Sequence, residues 1–150
     1  FEILSVEKNM KWVIKRKKFT GFADLILQKK ETGEIYLIDH KSAPHFLKKN
    51  GEVLKNQINN FLAYSKQMYL YCKPIHDKYG VFPSKIIWNH MFDKQITCIP
   101  FVKEDYDSAH EWALKTIQSI YKDKFFKEKQ DYMICKILCD WRNTCEYNQE

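Results

Sequence analysis

Residues 19–28 (FTGFADLILQ) and residues 35–41 (IYLIDHK) decide the fold and carry the most unusual chemistry of the chain. Both stretches are apolar and of strand length, and each carries one carboxylate, Asp24 or Asp39. An ionised carboxylate among apolar side chains is costly to bury unless a partner offsets its charge. The second stretch also carries Lys41, which shares a strand face with Asp39 because side chains two residues apart project to the same side.

The connection between these strands, residues 29–33, is short, and Gly33 can take a positive φ at the turn. Pairing about this hairpin can bring Asp24 close to Asp39, and two close carboxylates repel unless a proton or a cation lies between them. Mg²⁺ is usually held by one or two carboxylates, so the pair is a candidate metal site for hydrolysis of a phosphodiester. Lys41 could then position water or stabilise charge on the phosphate. The alternative is that each aspartate simply pairs with a neighbouring lysine.

Hydrophobic periodicity predicts the other elements. The predicted strands are residues 1–6, 10–14, 19–28, 34–41, 84–91 and 95–102, and the predicted helices are residues 52–72 and about 105–121. A turn is expected at residues 7–9, and Pro74 is expected to end the first helix because proline breaks the helical hydrogen-bond ladder. This order predicts an α/β (α+β) domain with a central mixed β-sheet flanked by helices.

The composition is that of a globular, mildly basic protein. A chain of 150 residues, 45% of them hydrophobic, can bury a core as one domain. Its 25 Lys and Arg against 19 Asp and Glu favour a polyanionic partner such as DNA, although a basic domain without such a partner is the alternative. No signal peptide or membrane-spanning run is found, so we expect a cytoplasmic protein, in a bacterial or phage-infected cell, with no membrane partner. Because residues 1–4 already read as strand, we expect an N-terminal part to be missing.

The segments GFAD (residues 21–24) and IDHK (residues 38–41), followed by Gln57, resemble the PD-(D/E)xK nuclease superfamily and, within it, the RecB-like exonuclease branch. That branch is similar in having a Gly-x-x-Asp strand, an Asp-x-Lys strand and a Gln-x-x-x-Tyr helix. The resemblance covers roughly residues 19–102. It implies a restriction-endonuclease-like core, truncated at its N-terminus, over residues 1–123.

The resemblance also implies roles for individual residues. Asp24 and Asp39 would bind Mg²⁺ or Mn²⁺, and the backbone carbonyl of His40 would complete the metal shell. Lys41 would be the catalytic lysine.

The match is less close on the helix. Gln57 would be its glutamine, but the tyrosine expected four residues later is Phe61. Tyr64, one turn on, could supply the catalytic hydroxyl or could be a core aromatic residue. Glu2 is an early carboxylate that could point into the site.

Three cysteines, Cys135, Cys139 and Cys145, lie in residues 124–150, a predicted tail that packs on the core. Some RecB-like nucleases, including CRISPR-associated relatives, hold a [4Fe–4S] cluster with one upstream and three C-terminal cysteines. The resemblance therefore suggests such a cluster in the full-length protein, for which a fourth thiolate is needed. Cys72 and Cys98 are poor candidates, since both are expected in core elements. The alternative is three reduced, unligated thiols.

These observations predict a Mg²⁺-dependent deoxyribonuclease, an exonuclease of DNA recombination, repair or phage DNA processing. DNA would be bound non-specifically through its backbone, with a recombination protein or a second copy of the chain as a further partner. The alternatives are a non-catalytic DNA-binding module with a nuclease-like fold and a structural domain of a larger helicase–nuclease. The intact set of Asp24, Asp39 and Lys41 favours the enzyme, because a binding module does not need all three.

Overall fold

The computed structural model describes residues 1–122 and residue 143, and its core is one mixed five-stranded sheet. The elements are β1 (Glu2–Ile14), β2 (Lys17–Gln28), β3 (Ile35–Lys41), a 3-10 turn (Lys55–Gln57), α1 (Ile58–Tyr79), β4 (Lys85–His90), β5 (Gln95–Pro100) and α2 (Lys103–Tyr121). The strands lie in the order β1-β2-β3-β4-β5. The predicted α+β class with a mixed sheet and flanking helices is confirmed.

The chain divides into two compact units, Phe1–Leu114 and Lys115–Glu150, and every contact described below lies within the first. The predicted domain boundary after residue 123 stays a prediction. Cys135, Cys139 and Cys145 lie outside the described residues, so the tail and its cluster also stay predictions. No helix in the described part of the chain is long and apolar enough to cross a membrane.

The first hairpin is longer than the sequence pattern predicted. β1 is one strand, and the turn expected at residues 7–9 does not form: Glu7 has a positive φ of 45° inside a continuous strand. The chain reverses between the strands predicted over residues 10–14 and 19–28, at Lys15 and Arg16, whose φ values of 43° and 67° are those of a tight two-residue hairpin turn. The pattern was misread because an irregular residue inside a strand resembles a strand end.

The part of this hairpin nearest its tip extends beyond β3. β2 pairs with β3 over residues 25–28, whereas residues 8–14 and 17–23 pair with each other on the far side of that point. We call residues 8–23 the β-ribbon. It is a two-stranded extension of the sheet, and Asp24 lies at its base.

The centre of the sheet is built by a crossover. β3 and β4 are parallel neighbours, and α1 connects them across one face of the sheet. The helix does not end at Pro74 as predicted, because Ile75 is only 1% exposed and packs in the core beyond it. It ends at Gly80, whose left-handed φ of 77° lets its N–H donate to the carbonyl of His76 at 2.8 Å.

Candidate active site

The site lies at the carboxyl end of β3. Strand alternation places Asp39 and Lys41 on the same face, which α1 covers. Asp39 is 5% exposed, and its Oδ2 lies 2.7 Å from the Nζ of Lys41. The two groups meet as an ion pair rather than as a well-directed hydrogen bond, and the lysine is the close cationic partner of this buried oxygen among the described residues.

The charge of Asp39 is only partly compensated. Burial raises the pKa of its carboxyl above the ordinary value, and the nearby carboxylate of Asp24 raises it further. The close contact with Lys41 and its positive charge lower the pKa without cancelling the effect of burial. A further positive charge beside Asp39 would therefore be favourable.

Asp24 reaches the site where β2 and β3 stop pairing. The last paired residues are Leu25 and Ile38, and beyond them the Oδ2 of Asp24 accepts a hydrogen bond from the backbone N–H of His40 at 2.8 Å. This bond replaces the next link of the strand ladder and fixes one carboxylate oxygen. The hairpin thus brings Asp24 and Asp39 together. The role predicted for the backbone carbonyl of His40 stays a prediction.

The ammonium of Lys41 is held by side chains from α1. It donates to the Oε1 of Gln67 at 3.4 Å and lies 4.2 Å from the centre of the Tyr64 ring. The Nε2 of Gln67 in turn donates to the hydroxyl of Tyr71 at 3.0 Å, which fixes the orientation of the amide. A helix spaces these two residues one turn apart on the same side.

The helix residues differ in part from those predicted. Gln57 lies in the 3-10 turn before α1, is 7% exposed and accepts a hydrogen bond from the side chain of Asn60 at 2.9 Å. The glutamine that contacts Lys41 is Gln67. Tyr64 does lie at the site, but it contacts the ammonium through its ring.

A signal for the observed pair was present in the sequence. Gln67 and Tyr71 themselves have the Gln-x-x-x-Tyr spacing, further along the same helix. The predicted helix of residues 52–72 contains both glutamines, whereas the observed helix begins at Ile58 and leaves Gln57 outside it. Glu2 pairs with Gln28, at the opposite end of β2 from the β-ribbon, and is exposed.

The donor set fits a magnesium-type ion. Two hard carboxylates lie near each other, and burial raises the pKa of Asp39, an effect that a cation beside it would offset. Within residues 1–122 and 143, no group of three or more His, Cys, Asp or Glu side chains is arranged to hold a metal. The residues therefore fit an ion whose remaining ligands are water and phosphate oxygens, and they do not fit a closed four-ligand zinc site.

The two described cysteines have different surroundings. Cys72 is buried in α1, where burial raises the pKa of its thiol and its Sγ donates to the carbonyl of Met68 at 3.3 Å. Cys98 is exposed on β5, one of the elements that were expected to form the core.

Comparisons with known proteins bear on the fold. No family model matches the chain, and no curated protein matches it significantly. The chain is similar to a crystal structure from Eubacterium rectale named "Putative exonuclease", with a TM-score of 0.53 and 13% identity over 93% of this chain and 51% of that one. The chain thus spans about half the length of that protein. At this identity the similarity is one of fold alone.

Proposed function

We propose that the chain is a metal-dependent deoxyribonuclease, an exonuclease of the RecB-like branch of the PD-(D/E)xK superfamily that acts in DNA recombination, repair or phage DNA processing. The observation that carries the proposal is the buried Asp39 carboxylate, which meets Asp24 and Lys41 at the carboxyl end of a central strand. The name of the Eubacterium rectale structure, whose fold this chain resembles, supports the same activity.

Each residue would have a distinct task. Asp24 and Asp39 would hold Mg²⁺ or Mn²⁺, which when bound polarises a phosphoryl oxygen and acidifies a bound water. Lys41 would donate a hydrogen bond to the phosphate and stabilise the negative charge that develops in the transition state. Gln67 would keep the ammonium in place, because its oxygen accepts from Lys41 while its nitrogen is held by Tyr71.

One observation favours a different function. Asp39 and Lys41 form an ion pair 2.7 Å apart without a metal ion. A non-catalytic DNA-binding module could keep such a pair as a structural element. Metal binding and cleavage distinguish the two functions.

The test is digestion of linear and circular DNA, in double- and single-stranded forms, with Mg²⁺, Mn²⁺ or EDTA. Asp39→Asn removes the charge and keeps the shape of the side chain. Because metal ions supply several kcal/mol of transition-state stabilisation, we expect a loss of roughly 1,000-fold in rate. Asp77→Asn is the matched control, since Asp77 pairs with Lys73 on an exposed part of α1.

Metal binding is measured separately, by thermal unfolding without DNA. Mg²⁺ should raise the midpoint of the wild type and of Asp77→Asn but not that of Asp39→Asn, because a ligand stabilises only the state that binds it. A protein that digests no DNA under any condition, and whose unfolding midpoint ignores Mg²⁺, would be the binding module instead.

A further inference from the structure

The positive charge of the chain is concentrated in the β-ribbon. Residues 8–18 contain no acidic side chain, and their basic side chains are Lys8, Lys11, Lys15, Arg16, Lys17 and Lys18. These account for the whole net charge of +6, because the other residues carry equal numbers of acidic and basic side chains. The basicity of this protein is therefore a property of one hairpin.

The cations of the β-ribbon lie at its tip, where Lys15 and Arg16 form the turn, and on the face opposite to its buried side chains, where Lys11 and Lys18 project. Its inner face is apolar and buried, through Met10, Trp12 and Ile14. The exposed cations are Lys8, Lys11, Lys15, Arg16 and Lys18. The ion pairs found among residues 1–122 and 143 are made by other residues, so no carboxylate offsets this group there. Like charges this close repel, and a polyanion would relieve the repulsion.

The inner face is fixed to the helix that supports the site. Trp12 meets the ring of Tyr71 edge-on at 5.9 Å and stacks on Phe19 at 5.7 Å. Gly21 leaves room for the same tyrosine, since a Cβ atom there would lie 2.6 Å from its ring. Tyr71 also holds Gln67, so one side chain contacts both the β-ribbon and the residue that holds Lys41. The β-ribbon, and with it the exposed face, is therefore held in place by its packing against α1.

The β-ribbon leads directly to the site. β2 runs from Lys18 near the tip to Asp24 at the base. At about 3.3 Å per residue this stretch spans roughly 20 Å, which is on the order of six base pairs at 3.4 Å each. A nucleic acid strand lying along the exposed cations would therefore end beside Asp24.

We infer that the β-ribbon is the surface that binds the phosphate backbone of DNA and directs the strand to Asp24 and Asp39. The direction toward the site rests on the proposed function, whereas the binding itself does not. Two polar groups on the exposed face, Asn9 and Thr20, are 3.3 Å apart and bond to each other. Val13 and Phe22 are exposed on the same face. The charged groups of residues 8–23 are all cations, so binding is to phosphates and independent of sequence.

The test removes the tip charges without damaging the turn. Lys15→Asn/Arg16→Gly places Asn-Gly, the preferred sequence for a two-residue hairpin with two positive φ values, at the observed turn. Lys29→Gln/Lys30→Gln is the matched control, because it removes two charges from the hairpin at the other end of β2. A second ribbon variant, Lys11→Gln/Lys18→Gln, keeps the turn unchanged.

Affinity is measured by fluorescence anisotropy in EDTA, with a 30-base-pair duplex and its single strand, at several salt concentrations. Each ribbon variant should bind severalfold more weakly than the control. It should also lose about 1.8 of the logarithmic salt slope on duplex, or roughly 1.4 on the single strand, because each phosphate contact contributes about 0.9 or 0.7. The DNA form that shows the loss is the form the β-ribbon binds.

The inference would be overturned if both ribbon variants bound both DNA forms as the control does, with unchanged salt slopes. EDTA separates this result from the proposed activity. Ribbon-dependent binding by a protein that never cleaves DNA would refute the nuclease and leave the inference standing. Metal-dependent cleavage by a protein whose DNA binding does not depend on the β-ribbon would support the nuclease and refute the inference.

Discussion

The buried polar groups on the two sides of β3 differ in how fully their charges and hydrogen bonds are satisfied. Lys41 at the end of β3 lies directly opposite His90 in the parallel register with β4. On the β2 side, Lys41 shares its surroundings with the carboxylates of Asp39 and Asp24, and the pKa of Asp39 is raised. On the β4 side, the imidazole of His90 is fully buried and both ring nitrogens have partners.

The hydrogen bonds around His90 are all satisfied when its imidazole is neutral. The carbonyl of Ala43 can only accept, so the Nδ1 of His90 carries the hydrogen at 3.0 Å. Nε2 then accepts from the Oγ1 of Thr97 at 3.0 Å, and that oxygen accepts from the N–H of Phe46 at 3.3 Å. A buried group with every partner in place is structural. One whose charge is only partly balanced, such as Asp39, is a candidate for function.

After that of Asp39→Asn, the largest expected effect on the cleavage rate is that of Lys41. Lys41→Ala should lower the single-turnover cleavage rate by on the order of 100-fold or more, as the loss of one transition-state donor does elsewhere. The affinity for DNA should stay nearly unchanged, because in the proposed binding mode the cations of the β-ribbon contact the phosphates. Rate at saturating DNA and affinity in EDTA are measured together, with Lys73→Ala as the control. An affinity loss as large as the rate loss would mean that Lys41 only binds phosphate.

Substitutions of Gln67 and Gln57 should have different effects, the first on the cleavage rate and the second on the free energy of unfolding. Gln67→Ala removes the acceptor that holds Lys41, so we expect a rate loss of about tenfold, equivalent to roughly 1.4 kcal/mol. Gln57→Ala breaks the bond with Asn60 and should leave the rate unchanged while lowering the free energy of unfolding by about 1 kcal/mol. Cleavage assays and urea unfolding on both variants check this. A rate loss confined to Gln57→Ala would restore the original prediction.

Local sequence patterns correctly predicted the strands whose ends are determined by adjacent turn residues. Gly33 takes the predicted positive φ, 74°, in the second hairpin, and β4 and β5 lie inside the predicted ranges. The pair of Asp24 and Asp39 followed from the same logic, because a short hairpin determines which residues meet across two strands.

The features that could not be predicted from the sequence depend on packing between segments that are distant in the chain. Pro74 reads as a helix end, yet buried contacts of Ile75 continue the helix past it. Gln57 was placed inside the helix because no capping side chain marks the start of α1, which lies at Ile58. The partners of His90 come from a loop and from β5, so no local spacing could indicate them.

The smallest expected effect is on the β4 side and is a pH dependence of stability. Burial lowers the pKa of His90 below its ordinary value, so the unfolded chain binds a proton more readily than the folded one. The contribution of neutral His90 to stability is therefore complete above the unfolded pKa of about 6.5 and falls as the pH drops below it, by at most about 1.4 kcal/mol per pH unit.

His90→Gln isolates this contribution. Between pH 7.5 and pH 5.5 the wild type should lose more of its free energy of unfolding than the variant, by urea denaturation. His110, whose pKa burial also lowers, is present in both proteins, so its effect cancels in the difference. The variant should retain DNA cleavage at neutral pH, because His90 has no contact with the phosphate in the proposed mechanism. If cleavage is lost in a variant that is still folded, the imidazole belongs to the active site, and the contrast between the two sides of β3 does not hold.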